Sequence, residues 1–186
     1  KFVYQTHQDC YGETDLKFIK DWDNTIDVIF LCKGHGEAKE FLSHHAFPDN
    51  TKVIDLSHDF RHKNSNSIQN KYFVYGLPEL NKSKIEKANY VANPGCFATC
   101  IQLALLPLAA YNQLHSEIHV TATTGSTGAG QNLSATNHFS WRSNNHSAYK
   151  TLIHQHETEI KESLAQLQND YNDQLYFVPQ RGAFTR

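Results

Sequence analysis

The first half of the chain reads as short apolar runs separated by turns and amphipathic stretches. Ile26–Cys32 (IDVIFLC) is β-branched and aromatic and predicts a buried parallel strand. Gly34-His35-Gly36 predicts a turn, and Glu37–His45 has helical spacing. Lys52–Leu56 (KVIDL) predicts a second buried strand, so strand, glycine turn, helix and strand form a βαβ unit. Asp59–Asn70 is polar and reads as a loop. Tyr72–Leu80 is an aromatic segment ended by Gly-Leu-Pro, and Tyr90–Ala92 is a third short strand stopping at Asn93-Pro94-Gly95.

The pattern then changes. Cys96–Gln113 predicts a long apolar helix, with a kink or break expected at Pro107. Glu117–Thr124 alternates and is β-branched, hence a strand, and Gly125–Gly130 (GSTGAG) is a glycine-rich loop. Leu133–Asn145 reads as irregular. Thr158–Gln168 predicts an amphipathic helix with Ile160, Leu164 and Leu167 on one face. Leu175–Val178 is a last strand, followed by a turn at Arg181-Gly182. These elements predict an α/β fold with a boundary at Gly95: residues 1–95 in a doubly wound unit and residues 96–186 in an α+β unit with a mixed sheet.

Charge and composition narrow the function. Lys+Arg is 17 against Asp+Glu 19, a net charge of −2 that disfavours a nucleic-acid binder. The longest apolar run, Leu103–Ala110, is far short of the roughly 20 residues that span a bilayer. Methionine is absent and Lys1 comes first, so the chain is expected to be part of a longer protein. Cys10, Cys32, Cys96 and Cys100 form no Cys-x-x-Cys pair and read as reduced thiols of a cytoplasmic protein.

Three motifs carry chemistry. In Asn93-Pro94-Gly95-Cys96, proline and glycine force a sharp exit from the strand and set the cysteine at the first turn of a helix. There the dipole and unpaired N–H groups favour a thiolate and can stabilise an oxyanion. The alternative is a small buried residue capping a core helix, the role left to Cys100. His154-Gln155-His156 supplies a proton donor or acceptor, with the two rings on opposite sides if the segment is extended. The Gly125–Gly130 loop can hold phosphate or a flat ring, or be a plain turn. These residues alone also allow a cysteine hydrolase, or a nucleotide- or metal-binding module with twelve histidines whose spacing fits no metal site.

Taken in order, Ile54–Arg61 (IDLSHDFR), Tyr75–Leu80 (YGLPEL), Asn93–Thr99 (NPGCFAT), Gly125–Gly130 and His154–Ile160 (HQHETEI) resemble the N-acyl-γ-glutamyl-phosphate reductases, in a form like that of Bacteroidetes. The resemblance implies a partial Rossmann NADP-binding domain. It also implies an α+β catalytic and dimerisation domain like those of glyceraldehyde-3-phosphate and aspartate-semialdehyde dehydrogenases. The implied activity is NADPH-dependent reduction of a small acyl phosphate, through a cysteine thioester, to the semialdehyde of arginine biosynthesis, by a homodimer or homotetramer that binds neither nucleic acid nor membrane. It assigns Cys96 as nucleophile and His154 as acid/base. It assigns Cys32, Lys33, Gly34, His35, Ser57, Ser126, Gly128, Ala129 and Gly130 to NADP(H), and Asn93, Arg142, His156 and Arg181 to substrate. No metal is implied.

Overall fold

The computed structural model describes residues 1–22, 25–130, 132–171 and 174–185. The first half builds a parallel sheet from β1 (Val28–Leu31), β2 (Lys52–Asp55), β5 (Val74–Tyr75) and β6 (Tyr90–Ala92), in the order β1-β2-β6-β5. Helix α1 (Glu37–His44) makes the crossover from β1 to β2 and buries Ala38 and Leu42. Gly36, at its N-cap, has φ of +87°, a conformation glycine adopts without steric cost. Asp59 completes the cap from another loop: its carboxylate accepts from the N–H groups of Gly36 at 2.7 Å and Lys39 at 3.3 Å.

Three expectations change here. β1 is half-buried rather than buried, because Val28 and Phe30 present an uncovered face among the described residues. The polar segment before Tyr72 contains a hairpin of β3 (Ser67–Ile68) and β4 (Lys71–Tyr72). Its turn residues Gln69 and Asn70 both have positive φ, as a two-residue hairpin of this hand requires. Beyond Gly76-Leu77 the chain forms α2 (Pro78–Ile85), with proline at the first helical position, where its missing N–H costs nothing.

The second half packs α3 (Cys96–Ala110) and α5 (His156–Leu167) against a mixed sheet of β7 (Ile118–Thr124), β9 (Leu175–Arg181) and β8 (Ser147–Ala148), with β7 and β9 parallel. α4 (Phe139–Arg142) is one turn inside the stretch expected to be irregular. α3 runs through Pro107 to Ala110. Proline removes the donor for the carbonyl of Leu103, but Leu103 is on the exposed side, where water can replace it. β9 extends three residues past Val178, so Arg181 is a strand residue and not the start of a turn.

Two hydrophobic cores result. Leu31, Leu42, Val53, Phe60, Phe73 and Ala92 centre the first. Phe97, Ile101, Leu106, Ile160, Leu164 and Phe177 centre the second, which also takes in Leu77 from before Gly95. On α5, Ile160 and Leu164 are fully buried, whereas Leu167 is 39% exposed. Its place on the inner face is taken N-terminally by His156, Glu159 and Ser163. Leu164→Ala should therefore cost about 2–5 kcal/mol in urea unfolding, and Leu167→Ala under about 1 kcal/mol. Equal costs would contradict this face.

Candidate active site

The parallel strands deliver their carboxyl ends to one side, where α/β sheets bind ligands. β6 ends at Ala92, Asn93-Pro94-Gly95 follow, and Cys96 opens α3. Gly95 has φ of −69°, which any residue adopts. Its requirement is a close approach: a Cβ there would lie 2.2 Å from Nε2 of His156 and 2.6 Å from Cε1. The glycine thus exists for the histidine, not for the turn.

Behind this turn lies a buried ionic clamp. The Glu159 carboxylate accepts from the Gly95 N–H at 2.7 Å and the Tyr75 hydroxyl at 2.7 Å, and pairs with the Arg61 guanidinium at 3.4 Å. Arg61 also donates from Nε to the Asn93 carbonyl at 2.8 Å and from Nη2 to that of Leu56 at 3.1 Å. Gln102 donates to the Tyr75 hydroxyl at 2.7 Å. Burial, and then the Glu159 charge, hold the Tyr75 phenol well above its ordinary value. Three residues along α5, Glu162 accepts from the Lys63 N–H at 3.1 Å and meets His62 at 3.2 Å.

In front of the turn is a cavity of about 870 Å³. Cys96, His154 and His156 line it together, with Asn93, Tyr149 and Arg181. Both histidines face it, contrary to the expectation for an extended segment. Gln155 is helical, with φ −56° and ψ −23°, and curls the chain so that the two rings lie 4.6 Å apart. The His156 N–H donates to Nδ1 of His154 at 3.2 Å. Neutral His154 therefore carries its own proton on Nε2. Burial, and then neighbouring His156, Lys150 and Arg181, lower His154 to about 4. Burial, followed by Arg61, Lys150 and His35, does the same to His156.

Of the other residues assigned from the resemblance, Asn93, His35, Gly128, Ala129 and Arg181 line this cavity. Arg181 lies with its guanidinium 4.4 Å over the Tyr149 ring. Cys32, Lys33 and Gly34 are exposed at the end of β1, outside the lining. Gly130 lines a neighbouring cavity, and the Ser126 hydroxyl donates to the Phe184 carbonyl at 3.1 Å. Two assigned residues are engaged by protein partners. Ser57 is buried, its hydroxyl donating to Asp55 at 2.8 Å and accepting from the Asp59 N–H at 3.1 Å. Arg142 is buried with its donors spent on the carbonyls of Thr136, Asn145 and Arg181 and on the Ser147 hydroxyl. It holds the Arg181 backbone at 2.8 Å. Cys100 is exposed like Cys96 and Cys32, not a buried core residue.

Sequence reasoning gave no role to Arg61, Tyr75, Tyr149, Lys150 or Glu159. For Glu159 a signal existed. His156, Glu159, Ile160, Ser163 and Leu164 are spaced i, i+3, i+4, i+7 and i+8, one continuous helix face that includes a carboxylate.

Comparison with known proteins adds to this geometry. A family model described as semialdehyde dehydrogenase, NAD binding domain, matches residues 2–88. A second, semialdehyde dehydrogenase, dimerisation domain, matches residues 96–186. Curated relatives named N-acetyl-gamma-glutamyl-phosphate reductase include those of Flavobacterium johnsoniae, 52% identical over 100% of this chain and 60% of the relative, and Parabacteroides distasonis, 50% identical over 99% and 56%. That of Azobacteroides pseudotrichonymphae is 54% identical over 99% and 56%. The chain thus spans 56–60% of the length of these relatives. The crystal structure of aspartate semialdehyde dehydrogenase II from Vibrio cholerae superposes with a TM-score of 0.62 at 18% identity, over 88% of this chain and 54% of that one, which shows a shared fold.

Gly95→Ala should destabilise the protein, and His156→Ala in the same chain should remove much of that penalty. A double-mutant cycle should give a coupling of about 0.5–3 kcal/mol, and a coupling of zero would contradict the contact. Acid should act through the two histidines. Their ordinary value is 6.5 and their folded value about 4, so between these the unfolded chain binds more protons. Their contribution to stability is complete above about pH 6.5 and is lost as pH falls toward 4. The urea midpoint should fall over that range, and less steeply in the His154→Asn, His156→Asn double variant.

Proposed function

Because the chain belongs to the semialdehyde dehydrogenase family, we propose that the protein reduces an N-acyl-γ-glutamyl phosphate to its semialdehyde with NADPH, through a thioester on Cys96. The observation that carries this reading is that Cys96, at the first position of α3, opens into the same cavity as His154 and His156 at the carboxyl ends of a parallel sheet. The identity of about half to curated reductases over nearly the whole chain supports the substrate class.

The residues divide the work. Cys96 attacks the acyl carbon as the thiolate, and phosphate leaves. The Cys96 helix end faces the oxygen that becomes negative. Neutral His154 presents Nε2–H to that oxygen, the acid side of its role, and Arg181 on Tyr149 receives the substrate carboxylate. Covalent capture splits one hard reduction into two easier steps. NADPH, when bound, supplies hydride to the thioester carbonyl. The cavity fits such a group: it is large enough for a flat ring beside the acyl chain, and Gly128, Ala129 and His35 line its rim. The division of the chain into residues 1–95, which hold the cofactor, and residues 96–186, which hold the substrate, belongs to the same proposal. So does assembly as at least a dimer through the second unit, which the matched dimerisation domain supports. Among the described residues no helix is long and apolar enough to cross a membrane. We place the enzyme in the cytoplasm, its cysteines reduced.

NADPH oxidation dependent on acyl phosphate, or NADP reduction dependent on semialdehyde and phosphate, tests the proposal. Cys96→Ala should abolish turnover and Cys100→Ala should retain most of it. His154→Asn should lower kcat by roughly 10²–10⁴-fold with NADP binding unchanged. Cleavage of the acyl phosphate by water without nicotinamide would mark a cysteine hydrolase instead. Iodoacetamide should label Cys96 ahead of Cys32 and Cys100, which are also exposed, and denaturant should erase the difference.

A further inference from the structure

The reductase reading leaves one charge in the cavity without a role. Among the described residues the cavity lining contains no carboxylate. Arg61 is neutralised by Glu159 behind it, so Arg181 and Lys150 are the cationic side chains there without an ion-pair partner. Lys150 sits in a tight turn. Lys150 and Leu152 both have positive φ, at +44° and +59°, unusual for residues with side chains. The turn is pinned to β9 on both sides, by the Tyr149 N–H to the Pro179 carbonyl at 3.0 Å and the Leu152 N–H to that of Phe177 at 3.0 Å. Such geometry persists where the surroundings enforce it, and it collects at functional sites. The Lys150 ammonium donates to Oε1 of Gln155 at 3.0 Å, the residue between the two histidines.

We propose that Lys150 is the anchor for the departing phosphate. The proposal rests on the reductase reading and assigns the two free cations of that site. The phosphate is bonded to the carbon that Cys96 attacks, and the substrate carboxylate lies several bonds away. The cation nearer the histidines therefore takes the phosphate. Lys150 reaches Gln155, between the two histidines, at 3.0 Å, whereas the Arg181 guanidinium lies over the Tyr149 ring. The chemistry of the two groups agrees. Arg181 is a planar fork fixed on Tyr149, with a buried Nε that has no protein partner, and suits a carboxylate that stays bound. Lys150 is an exposed point charge on a flexible stem, suited to an anion that must leave. In the step it serves, the Cys96 sulfur forms a bond to the acyl carbon and the carbon–oxygen bond to phosphate breaks. The bonding pair leaves with phosphate, which takes one proton from solvent and departs as hydrogen phosphate. Lys150 neutralises charge on that oxygen as it develops.

The test uses inorganic phosphate as the probe and Cys96 alkylation as the readout, at constant ionic strength. Phosphate should protect Cys96 from iodoacetamide in the wild type. Lys150→Gln should raise the phosphate concentration needed by about tenfold or more, and Lys150→Arg should restore part of it. In the semialdehyde-oxidising direction, Lys150→Gln should raise KM for phosphate while KM for NADP stays the same. Equal protection in wild type and Lys150→Gln, or no protection of wild-type Cys96 at any concentration, overturns the proposal. Absence of selective Cys96 labelling, with no nicotinamide-dependent turnover, is instead the failure of the reductase reading and takes this proposal with it.

Discussion

A carboxylate that is 3% exposed must find its hydrogen bonds inside the protein, and Glu159 finds them in three separate places. One oxygen takes the Tyr75 hydroxyl from the end of β5 and the N–H of Gly95 from the turn before Cys96. The other faces Arg61 from the loop after β2. Arg61 in turn ties down the carbonyls of Leu56 and Asn93, the residues that follow two strands. Removing either charge would strand the other in the interior, at about 3–5 kcal/mol for a pair of this kind. The clamp links residues of both halves of the chain behind the turn that leads to Cys96.

The clamp also explains why the cavity face can be open. Glu159 and Arg61 hold the turn before Cys96 from behind, through the Gly95 N–H and the Asn93 carbonyl. The front is left to groups with donors to spare: the thiol, Nε2 of His154, the ammonium of Lys150 and the guanidinium of Arg181. Neutral histidines follow from the same arrangement, since cations around them and burial beneath them disfavour further positive charge. An anion entering the cavity therefore meets positive charge from Arg181 and Lys150 and, among the described residues lining it, no competing carboxylate.

Much of this was legible in the sequence, and the rest failed for identifiable reasons. The strands at Lys52–Asp55 and Tyr90–Ala92 and the start of α3 at Cys96 follow directly from apolar runs and from Pro-Gly punctuation. The pairing of Cys96 with His154 came from motifs, not from periodicity. A serine in a motif does not reveal that Asp55 and Asp59 already use the Ser57 hydroxyl. A cation such as Arg142 reads as an anion site before its carbonyl partners, brought together by folding, are seen. Gly95 was credited to the turn, although its backbone is ordinary and the reason is a ring 61 residues downstream. The partners of Ser57 lie only two residues away and show only in the folded geometry, whereas that of Gly95 is distant in sequence, which local pattern does not encode.

That distance has a consequence for how the protein is made. Arg61 and Glu159 are 98 positions apart, and Gly95 and Glu159 are 64 apart. At a synthesis rate of about 5–20 residues per second, Arg61 waits roughly 5–20 s for its counter-charge to be added. During that wait the first sheet can form and bury Leu42 and Phe60, but the guanidinium stays in water and the Cys96 turn stays unsupported. α5 must dock before the turn is fixed, and contacts of such long sequence separation are slow to close. In the nascent chain the turn before Cys96 therefore takes its folded position only when the helix that holds it has arrived.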